Sequence, residues 1–217
     1  MFQDLLKGFA NPWTSLSKIS TFSLVAIGVL IVLIVLFFFL RKLKLNTRTL
    51  VMASASITIA FVLSFIKFYA MPQGGSITPG SMLPILLFAW YFGPVPGIAA
   101  GIVYGCLQLL QDFYVVHPLQ LFLDYIFAFG ALGIAGFLKK SLNIGIISAG
   151  LSRLIFHVIS GAVFFAEYAP AGQSPWIYSL VYNASVVLPD LIICLIVANI
   201  PVFRNALAKV YRKEAKV

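Results

Sequence analysis

The sequence predicts an all-α integral membrane protein, and two observations carry this prediction. Of the 217 residues, 61% are hydrophobic and only 10% are charged, whereas soluble domains are about half apolar and about a quarter charged. The apolar residues also form long runs, and none of these runs alternates with period two over the roughly ten residues that a barrel strand needs. A bundle of transmembrane helices is therefore expected, and a water-soluble globular enzyme is close to excluded.

The first apolar run, residues 21–40, predicts an accessory N-terminal helix. It is long enough to cross a bilayer, which takes about 20 apolar residues. The run ends in basic residues at positions 41, 42 and 44, which is unlike the small-residue cleavage site of a signal peptide. We therefore expect an uncleaved helix in an N-terminal extension, residues 1–45, to which the sequence assigns no function.

Six further apolar segments predict a membrane domain over residues 46–217 that ends in a basic tail. In chain order the predicted helices are Leu50–Ala70, Ser81–Phe92, Val95–Leu110, Pro118–Leu138, Ile144–Ala166 and Trp176–Phe203. The second segment is short and contains Pro84, and the third is rich in Gly and Ala. The six segments and the accessory helix together use most of the chain.

Basic residues predict the orientation of these helices. Most of the 15 Lys and Arg residues follow the first, the fifth or the last helix. These clusters are Arg41, Lys42, Lys44 and Arg48; Lys139 and Lys140; and Arg204, Lys209, Arg212, Lys213 and Lys216. Seven helices place all three clusters on one face, which the positive-inside rule identifies as cytoplasmic. The connections 71–81, 111–118 and 167–175 contain no Lys or Arg and are expected outside. The net charge of +9 is thus interpreted as a topology signal and not as a nucleic-acid surface.

Familiar enzyme motifs are absent from the sequence. It contains no zinc-protease helix, nucleophile elbow or phosphate-binding loop. Cys106 and Cys194 have neither metal-ligand spacing nor a disulfide framework. Without a nucleotide-binding signature, the chain has no means of driving transport with ATP by itself. We therefore expect no catalysis, no metal and no cofactor.

Polar residues within the apolar segments predict a binding site, because such residues usually face a cavity and often carry function. Three groups stand out: Gln120 with Asp124; Arg153, His157, Gly161 and Phe165; and Tyr178, Tyr182 and Asn183. The first two groups have the spacing of one helix face, and all but Arg153 fall in the outer half or near the middle of their helices. An acid, an imidazole, an amide and aromatic faces indicate an outward-facing pocket for a small, flat, cationic or polar ligand.

Two further features have structural interpretations. Arg153 and Asp190 lie deep in their helices, and we expect an ion pair or a shared polar network that lets both be buried. Small residues at spacing four on Leu50–Ala70 indicate either close contact with a partner helix or internal packing. These rows are Ser54 with Thr58, and Ser56 with Ala60 and Ser64.

Four stretches of the chain stand in an order and spacing that match a known family. They are Gln73–Ile77 followed by Met82–Ile85, Tyr114–Tyr125, His157–Phe165 followed by Tyr168–Pro170, and Tyr178–Asn183. Together, over about residues 48–203, they resemble the thiamine-specific S-components of the energy-coupling-factor (ECF) vitamin transporters. The resemblance implies a six-helix core in a bacterial cytoplasmic membrane, to which the N-terminal helix is an addition.

The resemblance also implies a function and a set of site residues. S-components of this kind bind thiamine from outside and dock with a transmembrane coupling subunit and two cytoplasmic ATPases, which power release inside. The ligand residues would be Tyr114, Asp124, Tyr125, His157, Gly161, Phe165, Tyr178 and Asn183. The coupling subunit would contact Ser54 and Thr58. Ser56 and Ala60 belong to the other row of small residues at spacing four on the same helix.

Besides the added N-terminal helix, the chain departs from the family pattern at residues of the expected site. Some members carry Glu in place of Asp124, Trp in place of Phe165, and a Trp where this chain has Gly75–Ser76. The last change removes a possible stacking ring. An S-component for pyridoxine or a hydroxymethylpyrimidine is therefore an alternative, and a stand-alone carrier or membrane enzyme is another of a different class.

Overall fold

The computed structural model describes Ile31, Ile34 and residues 46–212, without the side chains of residues 206–208 and 210–212. The expected accessory helix at 21–40 lies outside the described residues. The boundary expected at residue 45 stays a prediction for the same reason. Residues 46–212 belong to the unit that begins at Leu45.

Helices dominate residues 46–212. In chain order they are α1 Thr47–Ser64, α2 Leu83–Phe92, α3 Pro94–Gln111, α4 Pro118–Phe137, α5 Leu142–Phe164, α6 Pro175–Asn199 and α7 Pro201–Arg212, with a 3₁₀ turn at Ala166–Tyr168. Within the described part of the chain, α1, α3, α4, α5 and α6 are long and apolar enough to cross a membrane, and α2 is a shorter apolar helix. The predicted all-α membrane fold is confirmed.

The first connection differs from its prediction, because α1 ends at Ser64 and not at Ala70. The Ser64 hydroxyl donates to the Phe61 carbonyl at 2.6 Å, within the last turn of the helix. The chain then forms an antiparallel hairpin of β1, Tyr69–Ala70, and β2, Ser76–Ile77. Lys67, which the longer helix would have placed in the membrane, instead pairs with Asp112 at 2.7 Å beyond the helix end.

Helix α4 is irregular throughout the stretch that carries two of the predicted site residues. It is π-helical over Phe122–Phe127, briefly α-helical at Ala128–Gly130 and 3₁₀ over Ala131–Phe137. Helix α3 packs so closely against it that a Cβ on Gly105 would lie 1.9 Å from the Tyr125 carbonyl oxygen. Short π-helical stretches are frequent at functional sites, and this one holds Asp124 and Tyr125.

The last predicted helix, Trp176–Phe203, is divided in the structure. Helix α6 ends at Asn199, and Pro201 begins α7 after one intervening residue. A proline lacks the N–H that would continue the ladder of hydrogen bonds, but it suits the first turn of a new helix. Helix α7 is strongly amphipathic.

The core of the bundle surrounds the short helix α2. Its residues Ile85, Leu86 and Phe88 are almost fully buried, and the helix packs against α3, the 3₁₀ part of α4 and α1. The long helices expose large apolar side chains on their outer surfaces, such as Ile192 and Ile196 on α6. This distribution is that of a bundle whose solvent is lipid.

Candidate functional site

One cavity collects the predicted binding residues. It lies between α4, the end of α5, the start of α6 and the loop that follows β1. Its empty volume is about 610 Å³, a figure that includes open solvent at its mouth. It is lined by Gln73, Gly74, Gly75, Tyr114, Gln120, Asp124, Tyr125, His157, Gly161, Phe165, Tyr178, Ser179, Tyr182 and Asn183.

All eight residues that the family resemblance assigns to the ligand lie on this cavity. The structure therefore brings together side chains from α4, α5, α6 and the loop before α4. Six lining residues are not in the implied ligand set: Gln73, Gly74, Gly75, Gln120, Ser179 and Tyr182. Helical spacing and depth in the membrane single out Gln120 and Tyr182, whereas a serine within a helix and a glycine-rich loop carry no comparable signal.

The Asp124 carboxylate is held on both of its oxygens. Oδ1 lies 2.9 Å from Nδ1 of His157. Oδ2 accepts a hydrogen bond from the Ser160 hydroxyl at 2.7 Å and another from the Gln120 amide at 2.7 Å. Hydrogen bonds to a charged acceptor are stronger than neutral ones, so the carboxylate is fixed before any ligand arrives.

Arg153 reaches the site through His157. Its Nε donates to Nε2 of His157 at 3.2 Å, and its guanidinium lies 4.4 Å from the centre of the Phe129 ring. A guanidinium only donates hydrogen bonds, so Nε2 must accept and the imidazole must carry its proton on Nδ1. His157 is therefore neutral in this arrangement, it donates to Asp124, and both of its ring nitrogens are occupied.

Of the two expected arrangements of Arg153 and Asp190, an ion pair or a shared polar network, the direct ion pair does not form, although the two groups still interact electrostatically. Asp190 accepts instead from the Thr78 hydroxyl at 2.6 Å and from the Thr78 backbone N–H at 3.3 Å. The Ser81 hydroxyl in turn donates to the Thr78 hydroxyl oxygen at 2.9 Å. Arg153 is bonded to His157 and to the Met82 sulfur. Each ionisable group thus has its own partners, and the long Arg153 side chain extends toward the cavity.

The contact between α5 and α6 depends on Gly161. A Cβ at this position would lie 2.2 Å from Oγ of Ser179, so a side chain here would push the helices apart. The close approach lets the Asn183 amide nitrogen donate to the Ser179 carbonyl at 2.9 Å and to the His157 carbonyl at 3.2 Å. Since the nitrogen is committed to protein acceptors, Asn183 has its carbonyl oxygen to offer to a ligand.

The loop between β1 and β2 closes one side of the cavity and is tied to α6. The Tyr182 hydroxyl accepts from the Gln73 backbone N–H at 2.9 Å and donates to the Gly74 carbonyl at 3.1 Å. Gly74 and Gly75 both have φ of 89°, a left-handed conformation that glycine adopts without strain. The loop therefore depends on these glycines for its shape and on Tyr182 for its position.

Aromatic rings form much of the remaining wall. Tyr114 and Phe165 are stacked, with ring centres 5.8 Å apart and an angle of 19° between the rings. Tyr178 and Tyr182 lie 6.0 Å apart on α6. A hydrogen bond with Tyr168 and, to a lesser degree, burial raise the pKa of Tyr114, so its phenol stays protonated and neutral. Such faces attract flat and cationic ligands.

Comparisons with known proteins identify the relatives of this chain. Residues 50–209 match the sequence profile of a family described as "Thiamine transporter protein (Thia_YuaJ)". The thiamine transporter ThiT of Bacillus subtilis (strain 168) is 39% identical over 164 residues, which cover 68% of this chain and 84% of that protein. The thiamine transporter ThiT of Lacticaseibacillus paracasei is 30% identical over 139 residues, 55% of this chain and 69% of that protein.

A solved structure of ThiT from Listeria monocytogenes has the same fold. It superposes with a TM-score of 0.66 and covers 75% of this chain and 98% of its own. The sequence identity is 24%, so this likeness is evidence for the fold alone.

Proposed function

The chain belongs to the thiamine transporter (Thia_YuaJ) family, and from this premise we propose that it is the thiamine-binding subunit of an ECF-type importer. In this role it captures thiamine from outside the cell. It then delivers the vitamin to the cytoplasm together with a transmembrane coupling subunit and two ATPases. The chain itself carries out no covalent chemistry.

The fixed Asp124 carboxylate among aromatic rings is the observation that carries this proposal. Thiamine consists of a flat aminopyrimidine and a cationic thiazolium ring. Tyr114, Phe165 and Tyr178 offer aromatic faces on which both rings can stack. Asp124 and the Asn183 carbonyl oxygen are acceptors for the pyrimidine amine and a counter-charge for the cation.

His157 supports this proposal by orienting Asp124, and not by binding the ligand through a ring nitrogen. With Nδ1 bonded to Asp124 and Nε2 bonded to Arg153, it has no free nitrogen for a ligand. It instead contributes its ring face to the cavity wall and orients the carboxylate. The hydrogen-bonding groups left for thiamine are then Asp124, Asn183 and Tyr178.

Helix α1 supplies the surface that we propose for the coupling subunit. Ser54 and Thr58 are exposed one turn apart, Ser56 is half-buried, and Ala60 is fully buried in the core. Small residues at this spacing allow another helix to approach closely. The contact is therefore assigned to Ser54 and Thr58, since Ala60 is covered by the chain itself.

Titration calorimetry on the purified protein tests the ligand. Thiamine is expected to bind more tightly than pyridoxine or hydroxymethylpyrimidine. Asp124→Ala is expected to weaken thiamine binding by about 100-fold, because removal of a charge-assisted partner at a mostly buried position costs about 2–3 kcal/mol. Asp112→Asn is the matched control, since this acid lies at the same end of the bundle but pairs with Lys67 outside the cavity. Tighter binding of pyridoxine than of thiamine would overturn the proposed ligand.

Proteoliposomes test the partners. Thiamine uptake is expected only when the coupling subunit, the ATPases and ATP are present. Thr58→Trp should block uptake and leave thiamine affinity unchanged, whereas Ile59→Trp, an exposed neighbour on another edge of α1, should leave both unchanged. Uptake by the chain alone would instead identify it as a stand-alone carrier.

A further inference from the structure

A second cavity lies at the other ends of α5 and α6 from the candidate ligand site. It forms where α2 ends, where α5 begins and where α6 passes into α7. Its empty volume is about 780 Å³, counting the space at its open mouth, and its walls include Trp90, Lys140, Ser141 and Arg204. The thiamine proposal gives this cavity no role.

Two cations face this cavity without a carboxylate. Lys140 lies in the turn before α5 and Arg204 lies on α7, and neither forms an ion pair with another described residue. Residues 46–212 contain the carboxylates Asp112, Asp124, Glu167 and Asp190, and none of them lines the cavity. The positive charge of this cavity is therefore not neutralised by the described part of the chain.

The other polar groups of the cavity are already paired. Asn143 and Asn199 exchange hydrogen bonds at 3.0 and 3.3 Å across the α5–α6 contact. The Trp90 indole N–H donates to the Leu138 carbonyl at 3.1 Å. The free hydrogen-bonding groups are thus mainly the ammonium and guanidinium donors, which are suited to an anion with several oxygens.

The surroundings of the cavity favour a ligand that has both a charged and an apolar part. Ile144, which follows the lining residue Asn143, and Ile196 and Ile200, which are close in sequence to the lining residue Asn199, expose 43–60% of their surface. Helix α7 is amphipathic, and its residues include Arg204, Lys209 and Arg212 but no acid. A basic amphipathic helix after a transmembrane helix typically lies on a membrane surface with anionic lipids.

We propose that this cavity binds the phosphate headgroup of an anionic phospholipid. Lys140 and Arg204 contact the phosphate oxygens, and the acyl chains lie along the exposed apolar surfaces of α5 and α6. Arg204 presents the planar fork that suits two phosphate oxygens at once. Basic pockets between transmembrane helices are an established way of recognising lipid headgroups.

Native mass spectrometry with phosphatidylglycerol tests this site independently of thiamine. The wild-type protein should retain one additional, tightly held phosphatidylglycerol compared with the Lys140→Gln/Arg204→Gln double variant. Binding in the double variant should be about 25-fold weaker, because each cation near a membrane surface contributes about fivefold. Lys139→Gln is the matched control, because Lys139 is the adjacent basic residue and does not line the cavity, and it should bind as the wild type does.

Thermal unfolding in detergent separates the possible sources of the phosphate. Phosphatidylglycerol should raise the melting temperature of the wild type and of Lys139→Gln but not of the double variant. Phosphatidylcholine and inorganic phosphate should give little change. Equal stabilisation by inorganic phosphate would overturn the lipid assignment in favour of a soluble anion. Equal lipid retention by the double variant would overturn the site, and circular dichroism would show that this variant is folded.

Discussion

Arg153 and His157 show how one hydrogen bond changes what a side chain can offer to a ligand. A histidine at this depth would ordinarily be a donor or acceptor for the ligand. Here the guanidinium occupies Nε2 at 3.2 Å and Asp124 occupies Nδ1 at 2.9 Å. The imidazole is thus a fixed part of the wall, and the carboxylate that it orients is the group that meets the ligand.

Replacement of Arg153 tests this arrangement. Arg153→Gln removes the charged donor to Nε2, so His157 can move its proton to Nε2 and release Asp124. Thiamine affinity should fall by about tenfold or more, as hydrogen bonds to charged groups contribute about 1.5–3 kcal/mol. Arg153→Lys keeps a charged donor and should recover part of the loss.

Nitrogen NMR of labelled His157 gives a readout that a purely structural role would not change. In the wild type, Nδ1 should carry the proton and Nε2 should be unprotonated. In Arg153→Gln the two tautomers should mix. Unchanged affinity together with an unchanged tautomer would contradict the role assigned to Arg153.

Gly161 permits a test of the α5–α6 contact by a double-mutant cycle. Gly161→Ala places a Cβ 2.2 Å from Oγ of Ser179 and should destabilise the protein by about 1–3 kcal/mol, the usual cost of overpacking, while also weakening thiamine binding. Ser179→Ala removes the clashing oxygen and leaves contacts of 3.1 Å. The double variant should therefore be more stable than Gly161→Ala alone, as measured by thermal unfolding. If the stability losses of the two single variants simply added in the double variant, the protein would be relieving the clash by movements elsewhere.

Residue type and spacing identify part of this site and not the rest, for physical reasons. Asp124 and His157 stand out because an ionisable group within an apolar helix is costly. Ser160 does not, although it binds Asp124 at 2.7 Å, because a helical serine can also satisfy its hydroxyl on the backbone. Counting residues along the helix places Arg153 outside the site. Its long side chain nevertheless reaches the site, because it extends a full turn beyond its Cα.

At the scale of elements, apolar length predicts which segments are helices but not where irregular backbone occurs. Residues 65–70 are mostly apolar and extend the predicted first helix, yet the structure uses them to enter a hairpin. The π-helical stretch Phe122–Phe127 has no signal in the sequence, and it lies where α3 packs closely on α4. Both irregular regions border the ligand cavity, where local geometry matters most to function.

Tyr182 provides a test of how the β1–β2 loop is held over the cavity. Tyr182→Phe removes the hydroxyl that binds Gln73 and Gly74. Thiamine should dissociate about fivefold faster, since a neutral hydrogen bond contributes about 1 kcal/mol. Stopped-flow fluorescence measures this rate. Tyr69→Phe is the control, because Tyr69 is an exposed tyrosine of the hairpin that does not line the cavity. Thiamine should leave this variant as fast as it leaves the wild type. Equal dissociation rates in both variants would show that the loop is held by other contacts.

Thr78, which directly follows β2, forms a second contact between the hairpin segment and α6. Thr78→Val keeps the shape of the side chain but removes the hydroxyl that donates to Asp190 at 2.6 Å. The loss of this partner by a buried carboxylate should lower the free energy of unfolding by about 1–3 kcal/mol, which is visible as a lower melting temperature. Thr78→Ser keeps the hydroxyl and should unfold close to the wild type. If both variants melted at the wild-type temperature, Asp190 would not depend on this contact.

At the scale of the whole molecule, the two ends of the α5–α6 pair have opposite chemical character. One end holds Asp124 and the aromatic cavity, and its cation Lys67 is neutralised by Asp112. The other end holds Lys139, Lys140 and Arg204, without a carboxylate from residues 46–212 in its cavity. A strongly basic chain can thus present an acidic, aromatic site to a cationic vitamin, because Lys139, Lys140 and Arg204 lie at the far end of this helix pair.

This separation of charge predicts the orientation of the chain in the membrane. By the positive-inside rule the basic end is cytoplasmic, so the α5–α6 connection should face outside. In intact cells, a membrane-impermeant maleimide should label Gln173→Cys, an exposed residue of that connection. Lys139→Cys, exposed at the basic end, should react only after the membrane is permeabilised. The native Cys106 and Cys194 are buried and should add little background. The reverse pattern would place the aromatic cavity in the cytoplasm, where it could not capture a vitamin from outside.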